Sequence, residues 1–175
     1  DGVIRARYKL RTDLTRPPGE NKAGIVFGLL TRRTLQHPEG ITVMQIVNDP
    51  FSKGKWDACP LGEPECVRIL AAIDYAEKHG LQIHWKSTSG GAGISMTEGT
   101  ENLNWTARVM GRIGEFCDGG GVIHVIAEDV NVGAQAYWIA NATMLLTREG
   151  FLIMTPRSSL VLTGNQGQKL AGSVP

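Results

Sequence analysis
Short apolar runs broken by glycine- and proline-rich stretches set the rhythm of this chain. "IVFGLL" (residues 25–30) and "ITVMQIV" (41–47) are brief and rich in β-branched residues, which predicts two buried strands with "TRRTLQHPEG" as the loop between them. Upstream, "IRARYKLR" alternates, placing Arg5, Arg7, Lys9 and Arg11 on one face of a strand and Ala6, Tyr8 and Leu10 on the other. "TRPPGENKAG" has turn chemistry. "NDPFSKGKWDACPLGEPE" is a long connection of the kind that serves a site or moves.

The helical period takes over in "PECVRILAAIDYAEKHG": Pro64 suits a first turn, Val67, Leu70, Ala71 and Ala72 cluster, Lys78 and His79 sit in the last turn, and Gly80 can close it. "LQIHW" predicts a short strand and "KSTSGGAGISM" a glycine-rich turn. "TENLNWTARVMGRIGEFCDG" predicts a second helix through Leu103, Val109, Ile113 and Phe116. A strand at 121–127 follows, then a third helix reaching about Leu146. Further strands are expected near 151–154 and 159–162, and "TGNQGQKLAG" opens a last helix. Such alternation predicts an α/β fold with a mostly parallel sheet and crossover helices, and β–turn–α corners at 83–94 and 122–140.

The length of 175 residues suits one domain, 1–175, without repeats, and 42% hydrophobic with 20% charged residues can supply a packed core. A net charge of +1 gives no pull toward nucleic acid or an anionic membrane. No apolar run reaches the roughly 20 residues of a membrane span. The chain begins at Asp1 without a signal-peptide pattern, so we expect a fragment of a larger protein, cytoplasmic in location. Cys59, Cys66 and Cys117 form no C-x-x-C pair, and His37, His79, His84 and His124 lack ligand spacing, so no metal is expected. Sequons at Asn104 and Asn141 are accidental on a cytoplasmic reading.

The chemistry on offer lies at the two corners, "SGGAGIS" and "NVGAQAY", each following a predicted strand. Small residues there either let a helix pack closely on a strand or bare backbone N–H groups for something negative. Dinucleotide, Walker and Gly-x-Ser-x-Gly patterns are not met. Two N–H clusters without a nucleophile suggest a held oxyanion.

In order, "RPPGENKAGIV", "VNDP", "SGGAGISMTEGTENLNWTARVMGRIGEF", "DVNVGAQAYWIANATML" and "GFLIMTPRSSLVLTGNQ" resemble the N-terminal half of the carboxyltransferase component of biotin-dependent acyl-CoA carboxylases. The likeness is strongest to the acetyl-CoA carboxylase type and to large fused bacterial carboxylases, and runs from about Arg16 to the end. It implies a crotonase-like ββα superhelix that holds acyl-CoA. Carboxybiotin on a carrier domain would be the carboxyl donor, not bound covalently to this chain. A carboxyltransferase C-domain or second subunit would complete the site, usually across a homo-oligomer. On this resemblance Gly133 and Ala134 hold the thioester oxygen. The family's Ser-Gly-Gly-Ala-Arg turn falls on Ser89, Gly90, Gly91 and Ala92, and this sequence departs from it with Gly93 in place of arginine. The implied catalytic set is therefore Gly133, Ala134, Gly91 and Ala92, with Ser89, Gly90, Gly93 and Tyr137 toward substrate.

Plainer roles stand beside these. Tyr137 and Trp138 suit the packed start of a helix, the Arg5–Arg11 face a solvated strand, and Glu98, Glu101 and Glu115 a helix surface; Asp129, near a corner, is the one acid to test. A crotonase-superfamily decarboxylase or hydratase, and a non-catalytic CoA-binding or scaffold domain, are the alternative functions.

Overall fold
The structure, a computed structural model, describes residues 23–33, 35–51, 59–93 and 101–147, and the backbone of 151–153. Its strands are β1 (Ile25–Arg32), β2 (Ile41–Asn48), β3 (Ile83–Ser89), β4 (Ile123–Val132), β5 (Met144–Thr147) and β6 (Phe151–Ile153). Among the described residues three helices are interleaved: α1 (Glu63–Lys78), α2 (Glu101–Asp118) and α3 (Ala134–Ala140). They build a six-stranded sheet in the order β1-β2-β3-β4-β5, with β6 pairing the far end of β4. Among the described residues only the β1–β2 hairpin is antiparallel; the other strand pairings are parallel. The expected mixed α/β class with a mostly parallel sheet and crossover helices is thus present.

Alternation along the strands chooses the packed face. Ile83, Trp85, Ser87 and Ser89 of β3 are buried, as are Ile123, Val125 and Ala127 of β4, while the residues between them are partly open. Against this face α1 sets Cys66, Ile69, Ile73 and Ala76, and α2 sets Val109, Ile113 and Phe116. Each fully buried aliphatic side chain contributes about 1.5–3 kcal/mol. The start of α1 is tied to the sheet by Glu65, whose carboxylate accepts the N–H of Gly62 at 3.0 Å and of Gly24 at 2.9 Å. Arg112 of α2 reaches Asp74 of α1 at 2.9 Å and also meets Glu77.

Several elements depart from the sequence reading. β1 is fully buried only at Ile25: Val26, Leu29 and Leu30 are exposed, because β1 is the edge strand of a hairpin. It also runs on to Arg32, into the expected loop. The strand ending in "LQIHW" continues through Ser89, since ladder pairing with β4 carries it past the serines and threonine that read as turn. β4 likewise extends to Val132 across a register shift. Asp129 there adopts φ 51°. The third helix stops at Ala140, not near Leu146; Met144–Thr147 instead forms β5 beside β4, anchored by Ile123 N–H donating to Thr143 Oγ1 at 3.0 Å. On α2, Leu103 is 66% exposed, and Asn102 and Thr106 take the buried side. The readings at 4–11, 15–22 and 159–162 and of the last helix lie outside the described residues. No helix among the described residues is long and apolar enough to cross a membrane.

Candidate functional site
The two glycine corners, over 40 residues apart in sequence, touch. β3 and β4 run parallel, so both strands deliver their ends to the same edge of the sheet. Past the register shift Ser89 pairs with Asn131. Gly91, at φ +95°, lies so close to the Val132 carbonyl that a Cβ would stand 3.4 Å from the oxygen. A Cβ on Gly133 would lie 4.0 Å from Gly91 Cα. Gly133 itself has φ 54° and ψ −120°, a conformation L side chains rarely adopt. Parallel sheets bind ligands beyond the carboxyl ends of their strands, and this is that edge.

The first corner is braced from within. The Ser89 hydroxyl, buried, donates to the Cys59 carbonyl at 2.8 Å and accepts the Gly91 N–H at 3.0 Å. Leu61 pairs across it, its N–H donating to Gly91 O at 2.9 Å and its carbonyl accepting Gly93 N–H at 2.8 Å. Asn102 Nδ2 then donates to Gly93 O at 2.8 Å and to Leu61 O at 3.1 Å. The Gly91 N–H is therefore engaged by Ser89. Ala92 is half-buried in its bridge with Leu61, and Gly90 is exposed. The turn at Gly93 is braced by Leu61 and Asn102.

The second corner is the start of a helix. The first rung of α3 is Tyr137 N–H to Gly133 O at 3.2 Å, so the N–H groups of Ala134, Gln135 and Ala136 precede the helical ladder. Gly133 supplies no side-chain cap. Beneath it sits a buried polar group that sequence reasoning missed. Trp85 Nε1 donates to Asn48 Oδ1 at 2.8 Å, and Asn48 Nδ2 donates to Gln135 Oε1 at 3.3 Å. Gln135 is fully buried, and its Nε2, like Asn131 Oδ1 and Ser87 Oγ, has no hydrogen-bond partner among the described residues. The quoted "VNDP" was the only trace of Asn48, and nothing in the sequence tied it to a residue 87 positions away.

The aromatic pair splits. Trp138 is buried beside Trp85, ring centroids 6.1 Å apart, with Nε1 donating to Thr106 O at 3.1 Å. Tyr137 is about half exposed at 49%. Asp129 is exposed, and Glu98 lies outside the described residues. A recess of about 160 Å³ opens between α2 and α3, lined by Thr106, Ala107, Met110, Ala134, Tyr137 and Trp138.

No described side chain at the corners is poised as a nucleophile. Cys66 lies inside the core, where burial, with Glu65 adding to it, pushes its thiol up to about 12. Burial also raises Cys117. His84 is pushed below its usual value by burial, then by Arg32 and His124, and sits on the other face of the sheet. Among the described residues no three His, Cys, Asp or Glu side chains gather as a metal site. What the edge presents is backbone N–H beside two glycines.

No family model matches the sequence, and no curated protein matches it either. Among solved structures, the chain is similar to transcarboxylase 12S, whose crystal structure concerns hexamer assembly and substrate binding to a multienzyme core and has hydrolysed methylmalonyl-coenzyme A bound. The TM-score is 0.63 at 18% identity, over 80% of this chain and 25% of that one. This chain therefore spans about a quarter of that protein's length, and the two share a fold.

Proposed function
We propose that this chain is the acyl-CoA-binding half of a biotin-dependent carboxyltransferase, built on a crotonase-like ββα superhelix. The observation that carries the reading is the meeting of the two glycine corners at the carboxyl ends of β3 and β4, with unladdered N–H groups at the second. The shared fold with transcarboxylase 12S supports it. The ordered sequence motifs point the same way.

On this reading the Ala134 N–H donates to the thioester oxygen and gains strength as that oxygen becomes an enolate. Gly133 keeps the approach to that donor free of a side chain. The first corner, with its Gly91 N–H engaged by Ser89, shapes the edge beside it rather than donating from that atom. Carboxybiotin, when bound, supplies the carboxyl group, and its ureido nitrogen the base. The cradle suits a thioester: it offers small residues and backbone donors, which need no covalent attack.

The test is transfer of labelled carboxyl from a carboxybiotinylated carrier to acetyl- and propionyl-CoA by the full-length protein. Transfer supports the reading. Release of CO₂ from malonyl-CoA without transfer would favour a decarboxylase, and binding of CoA esters without turnover a non-catalytic domain.

A further inference from the structure
We infer that the recess between α2 and α3 receives the acyl tail of the substrate, and that Met110 sets the length it accepts. The inference rests on the reading of Ala134 as the thioester-oxygen donor. Ala134 belongs to both features: it lines the recess, and its N–H lies at the unladdered start of α3. An acyl group whose carbonyl meets that N–H lies beside a residue of the recess lining.

The lining suits hydrocarbon. Its polar groups are largely turned inward: the Thr106 hydroxyl donates to Leu103 O at 2.9 Å, and Trp138 Nε1 donates to Thr106 O at 3.1 Å. Ala107 and Ala134 face the space with methyl groups only, and it is their smallness that leaves it empty. Met110 is held in place: Asn141 Nδ2 contacts its Sδ at 3.3 Å and also donates to Tyr137 O at 2.9 Å, coupling the side chain to α3. A volume of about 160 Å³ is close to that of an apolar cavity, about 150 Å³, that takes a benzene-sized guest. The recess is open at the surface, with Ala107 and Tyr137 exposed, and its volume matches a tail of about six carbons.

The readout is the ratio of kcat/KM for hexanoyl-CoA to that for acetyl-CoA, measured in the full-length protein with its carboxybiotin donor. A ratio cancels the amount of folded enzyme. Met110→Trp fills the recess and should lower the ratio about ten-fold or more, the scale of discrimination that hydrocarbon pockets reach. Met110→Ala enlarges it and should shift the ratio the other way, and this variant carries the test should the tryptophan fail to fold. Turnover of both esters with a ratio unmoved in either variant overturns the recess and leaves the carboxyltransferase reading standing. So does a wild type that takes acetyl-CoA and refuses hexanoyl-CoA. A wild type that takes no CoA ester overturns both.

Discussion

Ala134→Pro removes one hydrogen-bond donor and little else, which makes it the sharpest probe of the second corner. Ala134 is the first residue of α3, where proline is well tolerated because that N–H has no helical partner. Proline restricts the residue before it, normally to extended backbone. Gly133, at φ 54° and ψ −120°, is the mirror image of an extended conformation, and without a Cβ it meets that restriction equally well. Folding should therefore survive, with stability changed by no more than about 1 kcal/mol. The chemistry should not. Losing one donor to a developing oxyanion costs about 10²–10³ in kcat, or about 2.7–4 kcal/mol. The assay is single-turnover transfer of labelled carboxyl to acetyl-CoA in the full-length protein, with the variant's melting curve as the folding control. A well-folded variant with normal turnover would refute the assignment of Ala134 as donor.

Four further outcomes are expected. Asn102→Ala leaves the Gly93 carbonyl without its side-chain donor but also removes the unpartnered Asn102 Oδ1, and Leu61 O keeps the Gly93 N–H; denaturant titration should show a loss of about 1–2 kcal/mol. Gly93→Arg adds a guanidinium to a turn already braced by Leu61 and Asn102, so neither stability nor acyl-CoA affinity should rise; calorimetry showing a gain in either would mean the turn lacks a brace. His84 has its pKa lowered by burial, Arg32 and His124, so the unfolded chain takes up a proton before the folded one does. The resulting cost is absent well above the ordinary value of 6.5 and grows as pH falls below it, and stability of His84→Gln should decline less than wild type between about pH 7 and 5. Last, Val26, Leu29, Leu30, Leu103 and Tyr137 are exposed, an apolar complement suited to a second subunit or half-site; light scattering should find a self-associated chain, and a monodisperse monomer would remove that argument.

The sequence alone determined which segments would be helix or strand wherever the period was strong and local. Val109, Ile113 and Phe116 announce the buried face of α2, and Pro64 and Gly80 bracket α1, because both signals act within a few residues. It also marked both glycine corners, since small residues in succession after an apolar strand have few local explanations. The lengths of β3 and β4 were beyond it. Ser87, Thr88 and Ser89 look like turn in isolation, and only pairing with β4 holds them extended. The early end of α3 has the same origin, because the partner of Met144–Thr147 lies on β4. The exposure of β1 depends on its place at the sheet edge, which no local pattern states. Above all, contact between Gly91 and Gly133 and the Trp85–Asn48–Gln135 chain join residues from distant segments. Parallel pairing brings the two corners to one edge, engages the Gly91 N–H with Ser89 and leaves the start of α3 ahead of its helical ladder, an arrangement that only tertiary structure decides.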